Sequence, residues 1–200
     1  MLKPGDIAIV SGARTPFGRY CGKLKDFSAQ ELGAIAAKEA IVRAGVKPEE
    51  FDHAVFGNAQ QTSGDALYGA RHVGLRAGLP IEVPALTVNR LCGSGMQAIV
   101  SASQYIMLGD IDAAIGGGAE SMSRGVYANL TQRWGARMGD AKVVDMMVGA
   151  LTDPFDTVHM GITAENVASK CGITREQQDQ FAVESHRRAT KAIAEGRFTS

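Results

Sequence analysis

Cysteine is scarce in this 200-residue chain: three in all, Cys21, Cys92 and Cys171. An odd number so widely spaced builds no disulfide framework, and no Cys/His spacing suits zinc, so the usage fits a reducing compartment. Net charge is missing as well. With 21 basic against 21 acidic side chains, nothing global attracts nucleic acid or an anionic membrane surface. No apolar run approaches the roughly 20 residues of a membrane-spanning helix. The opening Met1-Leu2-Lys3-Pro4-Gly5-Asp6 has neither the apolar core of a signal peptide nor the Arg-rich character of a transit segment, which sets the expectation of a cytoplasmic protein.

What the chain has in excess is glycine. Its 24 glycines cluster at turns and around Cys92 rather than in a repeat. A hydrophobic content of 45% is ordinary for a globular chain, and 200 residues allow one large domain or two small ones. Residues 7–10 read as a short apolar strand, broken by Gly12, Pro16 and Gly18. Ser28-Ala29-Gln30-Glu31 is a capping box that opens an Ala-rich helix to about Ala44, stopped by Gly45. Leu32, Ile35, Ala36 and Ala40 give that helix an apolar stripe. A strand over residues 51–56, a helix over residues 68–77 and a strand over residues 84–89 follow. After them come a helix from Met96 to Leu108, closed by Gly109, and a strand over residues 113–116. Strands alternating with helices through short connections predict a parallel sheet covered on both faces. Beyond Arg124 the texture changes: Arg133, Trp134, Arg137 and Lys142 stand among Gly125, Gly135 and Gly139. A short helix is expected over residues 163–170. A second capping box, Thr174-Arg175-Glu176-Gln177, opens a helix to about Glu195 that Gly196 closes, with Phe181, Ser185, Arg188 and Ala189 as its inner side.

Cys92 falls where the strand over residues 84–89 turns into the next helix. Unpaired N–H groups and the dipole at a helix start favour an anion, and so favour a thiolate. Gly93 and Gly95 leave room for a group to approach the sulfur, and the expectation is that the Cys92 N–H points at a developing oxyanion. Such a cysteine suits acyl transfer through a thioester. A cysteine in an apolar context is otherwise a small buried hydrophobe. Gly93-x-Gly95-x-x-Ala98 also matches a dinucleotide fingerprint, but it lies outside any first βα turn, and only Asp112 and Glu120 offer themselves as the ribose-binding acid. Ligands of parallel sheets sit at the carboxyl ends of the strands, which is where Cys92 is. The run Gly116-Gly117-Gly118 reads as close packing at a strand end, since no Lys-Ser/Thr pair follows to make it a phosphate loop.

Val88-Asn89-Arg90-Leu91-Cys92-Gly93-Ser94-Gly95 resembles the acyl-enzyme signature of thiolases. Gly116-Gly117-Gly118-Ala119-Glu120-Ser121-Met122-Ser123 and His159-Met160-Gly161-Ile162-Thr163-Ala164-Glu165-Asn166 resemble two further thiolase segments, in the family's order. The likeness runs from about Ser11 to Phe198 and is strongest to the short-chain biosynthetic type, the acetyl-CoA acetyltransferases. It implies an α/β fold layered αβαβα, with a mostly parallel sheet and an inserted loop domain. Residues 1–123 would form the first half, and residues 124–200 the front of the loop domain. Cys92 would be the nucleophile, and Leu151, His159 and Met160 would line the coenzyme A path. The loop over residues 125–143 would join two dimers into a homotetramer. No cofactor would be held permanently, coenzyme A thioesters would be the substrates, and neither nucleic acid nor membrane would be a partner.

The resemblance also implies groups that this chain does not carry. The family's second half holds an Asn-Glu-Ala-Phe segment, a Gly-His-Pro histidine that activates the nucleophile, and an acid/base cysteine in Cys-x-Gly. His53, His72, His159 and His186 are the only histidines, and none is in Gly-His-Pro. The expectation is a thiolase whose 200-residue portion is inactive alone. The alternatives are a degradative 3-ketoacyl-CoA thiolase, a β-ketoacyl synthase relative and a non-catalytic subunit.

Overall fold

The computed structural model describes residues 5–198, so expectations placed on residues 1–4 and 199–200 lie outside the described residues. The chain divides into two compact units, residues 1–147 and 148–200.

The first unit is built on a helix–strand alternation. Its elements in order are α1 (Ala29–Ala44), β1 (His53–Gly57), α2 (Gly69–Ala77), β2 (Ala85–Val88), α3 (Ser94–Leu108) and β3 (Ala114–Gly118). The strands form one parallel sheet in the order β2-β1-β3, with Gly57 opposite Val88 on one side and Gly118 on the other. The side-chain alternation of β1 divides the core. Ala54 and Phe56 join Ala37, Ile41, Ala70, Val73 and Ile115 under α1 and α2, while Val55 meets Ala98 and Ala102 of α3. The result is three layers, α1/α2 over the sheet over α3. Only β1 is buried on both faces; the outer strands β2 and β3 leave residues open, Leu86 among them. A short antiparallel pair, β4 (Tyr127–Ala128) with β5 (Val144–Asp145), follows and leads into α4 (Met146–Ala150).

Local signals set the helix ends. Ser28 and Glu31 complete a reciprocal capping box on α1, and Gly45, Gly78 and Gly109 close α1, α2 and α3 in the left-handed conformation. Side chains do the same across elements. Thr87 of β2 accepts the Ala70 N–H at the start of α2, and the Arg71 guanidinium donates to the Ile81 and Val83 carbonyls just before β2. The Asp52 carboxylate accepts the N–H groups of Asp112 and Ala113, which holds it below the usual carboxylate range and ties the start of β3 to that of β1.

The second unit carries α5 (Met160–Cys171) and α6 (Arg175–Ala194). Thr174 and Gln177 form the expected capping box of α6.

Three expectations need correction. Residues 7–10 form no strand: a strand needs a ladder, no neighbour in the described sheet offers one, and Ile9 and Val10 stay exposed. The buried residues of α1 are Ala29, Gln30, Gly33, Ala34, Ala37 and Ile41, not the expected stripe of Leu32, Ile35, Ala36 and Ala40, and Ile35 remains exposed. The reason is close packing: a Cβ on Gly33 would lie 3.0 Å from a Val73 methyl carbon, so α1 turns the side carrying Gly33 toward α2. Finally, α6 has no buried residue, and Phe181 is 79% exposed. The helix is held instead by its cap and by pairs along its surface. Arg187 and Arg188 both donate to Glu184 and lower its pKa to about 2.

The glycine run of β3 is close packing, as its sequence suggested. A Cβ on Gly117 would lie 2.9 Å from the Phe56 ring, and one on Gly116 would lie 3.3 Å from the Ile99 Cα. The tightest position is Gly57, whose Cβ would lie 2.4 Å from the Ser94 carbonyl carbon. Overpacking of this kind costs about 1–3 kcal/mol. Gly57→Ala should therefore lower the denaturant midpoint clearly, whereas Gly64→Ala, with no atom within 4 Å of its added Cβ, should leave it nearly unchanged. Equal midpoints for the two variants would refute the close-approach account.

Candidate active site

The parallel sheet delivers three chain segments to one edge. The carboxyl ends of β1, β2 and β3 are Gly57, Val88 and Gly118, and α3 starts directly above them. Glycine makes this approach possible. Besides the Gly57 contact, a Cβ on Gly118 would stand 3.1 Å from the Cα of Gly95. The close approach is thus set by the strand-end glycines, since a Cβ on Gly95 itself would lie 3.9 Å from Gly118.

Between β2 and α3 the chain turns through Asn89, Arg90, Leu91 and Cys92, with Gly93 as the N-cap of α3. Cys92 is one residue ahead of the cap. Leu91 takes φ +47°, a left-handed conformation that costs a non-glycine residue roughly 1–2 kcal/mol. The turn is over-determined by hydrogen bonds. The Leu91 N–H donates to Asn89 Oδ1 at 2.9 Å, and the Arg90 N–H to Ser94 Oγ at 2.9 Å. Ser94 Oγ in turn donates to the Leu91 carbonyl at 2.6 Å. The Gly93 and Ser94 N–H groups close back on the carbonyls of Arg90 and Leu91. Cys92 at the apex is exposed, and its own N–H meets no acceptor among the described residues. An accessible sulfur beside an uncommitted amide is the geometry that thioester chemistry uses: the sulfur attacks, and the amide meets the developing oxyanion.

Leu151, His159 and Met160 lie in the second unit, and the structure brings these three together. The loop from Thr152 to Val158 doubles back, so that the Met160 N–H donates to the Leu151 carbonyl at 2.8 Å and the Asp153 N–H to the Val158 carbonyl at 2.9 Å. His159 is the N-cap of α5, and its Nδ1 accepts the Gly161 N–H at 3.0 Å. That bond assigns Nδ1 as an unprotonated acceptor.

The remaining histidines have structural partners or lie open. His53 stacks on Tyr105 with ring centroids 4.9 Å apart, at the amino end of β1 and so at the opposite edge of the sheet from Cys92. His72 contacts the Asp65 carboxylate at 2.9 Å and stacks on Tyr68. His186 is exposed on α6. Among the described residues no group of three His, Cys, Asp or Glu side chains is placed to hold a metal ion, and no helix is long and apolar enough to cross a membrane.

Sequence reasoning weighed Glu120 only as a ribose-binding acid. In the structure its carboxylate instead accepts the Ala59 N–H at 2.8 Å, the Gln60 N–H at 3.2 Å and Asn58 Nδ2 at 3.0 Å. Its pKa is raised, because burial disfavours the charge more than these donors favour it. The available signal was the pair of glycines ending β1 and β3, which marks where the two following loops converge.

Residues 7–200 match the family described as "Thiolase, N-terminal domain". The chain is 57% identical over 193 residues to the β-ketothiolase BktB of Cupriavidus necator, and 47% identical over 194 residues to an acetyl-CoA acetyltransferase of the same organism. Each alignment takes in 96% of this chain and 49% of the relative. The crystal structure of human mitochondrial 3-ketoacyl-CoA thiolase in complex with CoA superimposes with a TM-score of 0.91 at 46% identity, covering 95% of this chain and 48% of that one. The chain thus spans about half the length of the proteins it matches.

The turn itself is open to test. Leu91 is 61% exposed, so Leu91→Gly forfeits little burial and relieves the left-handed strain. It should raise unfolding stability by up to about 1 kcal/mol, read as a higher denaturant midpoint. A lower midpoint would mean that side-chain contacts, and not the backbone turn, hold Leu91.

Proposed function

This chain belongs to the thiolase family, and on that premise we propose that the protein is an acetyl-CoA C-acetyltransferase, catalysing the reversible condensation of two acetyl-CoA to acetoacetyl-CoA and CoA. The observation that carries the proposal is the exposed Cys92 thiol with its uncommitted amide at the carboxyl edge of the parallel sheet.

The chemistry has two halves. The Cys92 thiolate attacks the carbonyl carbon of acetyl-CoA, the carbonyl electrons move onto oxygen, and the tetrahedral species collapses with loss of the CoA thiolate, which takes up a proton. Acetyl-Cys92 remains. A second acetyl-CoA then loses an α-proton to a base, and its carbanion attacks the acetyl thioester. A new C–C bond forms, the C–S bond to Cys92 breaks, and the thiolate returns. Dividing the reaction this way separates acyl transfer from carbon–carbon bond formation. Cys92 and its N–H serve the first half. The family's activating histidine and α-proton base correspond to motifs that residues 1–200 do not contain, so the first half depends on the one to deprotonate Cys92 and the second half on the other to take the α-proton.

Within this reading residues 1–123 supply the nucleophile's half-fold, and residues 124–200 the front of the loop domain. Leu151, His159 and Met160 line the coenzyme A path; their mutual contacts in the second unit support a shared wall. The segment 125–143 serves as the contact that makes a homotetramer of two dimers, in a cytoplasmic enzyme. A degradative 3-ketoacyl-CoA thiolase is the second reading, favoured by the 46% identity to the human mitochondrial enzyme. Thiolytic rates of the whole protein across 3-ketoacyl-CoA chain lengths separate the two: a maximum at four carbons supports the first, and a rise with chain length the second.

All three cysteines are exposed, so accessibility alone predicts comparable alkylation. A nucleophilic Cys92 should react with iodoacetamide at neutral pH ahead of Cys21 and Cys171, as read by peptide mapping. Cys92→Ser should abolish turnover of the whole protein. The polypeptide 1–200 alone should show none either, because general acid–base help is worth roughly 10²–10⁴-fold per transfer and two such groups lie outside it. Turnover by purified 1–200 would show that the catalytic groups are misassigned.

A further inference from the structure

Glu120 lies two residues beyond Gly118, the end of β3, and its carboxylate reaches the loop after β1, far from Cys92 in sequence but joined by hydrogen bonds to Leu91, the residue directly before it. We propose that Glu120 is a positioning residue for Cys92: through the loop Asn58-Ala59-Gln60 and Asn89, it sets the turn that presents the thiol. The inference rests on the reading of Cys92 as nucleophile and adds to it a residue that acts through others.

The connection is continuous. Glu120 holds the Ala59 and Gln60 N–H groups and the Asn58 side chain. Asn58 Nδ2 also donates to the Ala119 carbonyl at 2.9 Å, and the Asn58 N–H donates to the Val88 carbonyl at 3.1 Å, so this loop bridges the ends of β3 and β2. The Ala59 carbonyl accepts Asn89 Nδ2 at 3.1 Å. Asn89 Oδ1 then accepts the N–H of Leu91, the strained residue directly before Cys92. One asparagine thus reads the loop with its amide nitrogen and the turn with its oxygen. The loop is a poor anchor without the carboxylate, since two of its three backbone N–H groups end there. Glu120 has no cationic partner within ion-pair distance among the described residues. Backbone and amide donors balance its charge, an arrangement that fixes direction more tightly than a solvated ion pair does.

Glutamine cannot replace it. Its amide nitrogen would face either the Ala59 N–H or the Gln60 N–H and Asn58 amide, donor against donor. In the whole protein, Glu120→Gln should cut the alkylation rate of Cys92 relative to Cys21 and Cys171 in the same molecules. It should lower kcat on the order of 10²-fold, with KM changed much less. Asn89→Asp, which keeps the acceptor for Leu91 and loses the donor to Ala59, should act in the same direction. Asp65→Asn is the control: Asp65 is a half-buried carboxylate bonded to Ser63 and His72, with no bond to the turn. It should change unfolding and leave the Cys92 ratio alone. An unchanged Cys92 ratio and kcat in Glu120→Gln overturn the proposal. If that variant does not fold, an unchanged ratio in Asn89→Asp overturns it. Failure of the wild-type protein to label first at Cys92 is a different result: it removes the nucleophile assignment itself.

Discussion

The contact on which the rest of this structure depends is the seating of the first turn of α3 on the carboxyl edge of the sheet. Gly57 and Gly118 end their strands where Ser94 and Gly95 begin the helix, and a single methyl group at Gly57 would come within 2.4 Å of main-chain carbon. At that separation repulsion dominates any gain from burial, so the position admits no side chain. The seating fixes how far the β2–α3 connection must travel. It does so in four residues, and Leu91 takes a left-handed backbone to manage it.

Strain of this kind persists only where its surroundings insist on it. Here they do: Asn89 and Ser94 grip the turn from both sides, and the loop after β1 grips Asn89. The exposed thiol is thus carried by a backbone that has little freedom. Pre-set geometry matters for acyl transfer because an oxyanion is stabilised by donors that are already in place when charge develops. In this account the protein accepts the cost of the left-handed residue at Leu91 so that Cys92 and its amide face the same small volume.

Much of this could be read from the sequence because it is local. The capping boxes at Ser28 and Thr174 and the closing glycines at 45 and 109 act within one turn of chain, so pattern alone finds them. The parallel sheet followed from the alternation of elements, and the position of Cys92 from the strand before it. What escaped was set by neighbours distant in sequence. The buried side of α1 depends on how near Gly33 can come to Val73. Residues 7–10 have strand character but no ladder to join among the described strands. The larger residues of α6 obey helical spacing without anything in the described chain to cover them. Glu120 could be recognised as a charge in a glycine-rich segment, but its partners are some 60 residues earlier, and only the fold brings Asn58, Ala59 and Gln60 to it.

The most direct measurement is to trap the acyl-enzyme. The whole protein is mixed with acetyl-CoA, quenched in acid within one turnover, and digested at low pH for peptide mass mapping. The account predicts one added acetyl group, on the peptide bearing Cys92, lost again when CoA is supplied before the quench. Acetyl on Cys21 or Cys171 instead, or acetoacetyl-CoA formation with no acetyl ever found on Cys92, would contradict it.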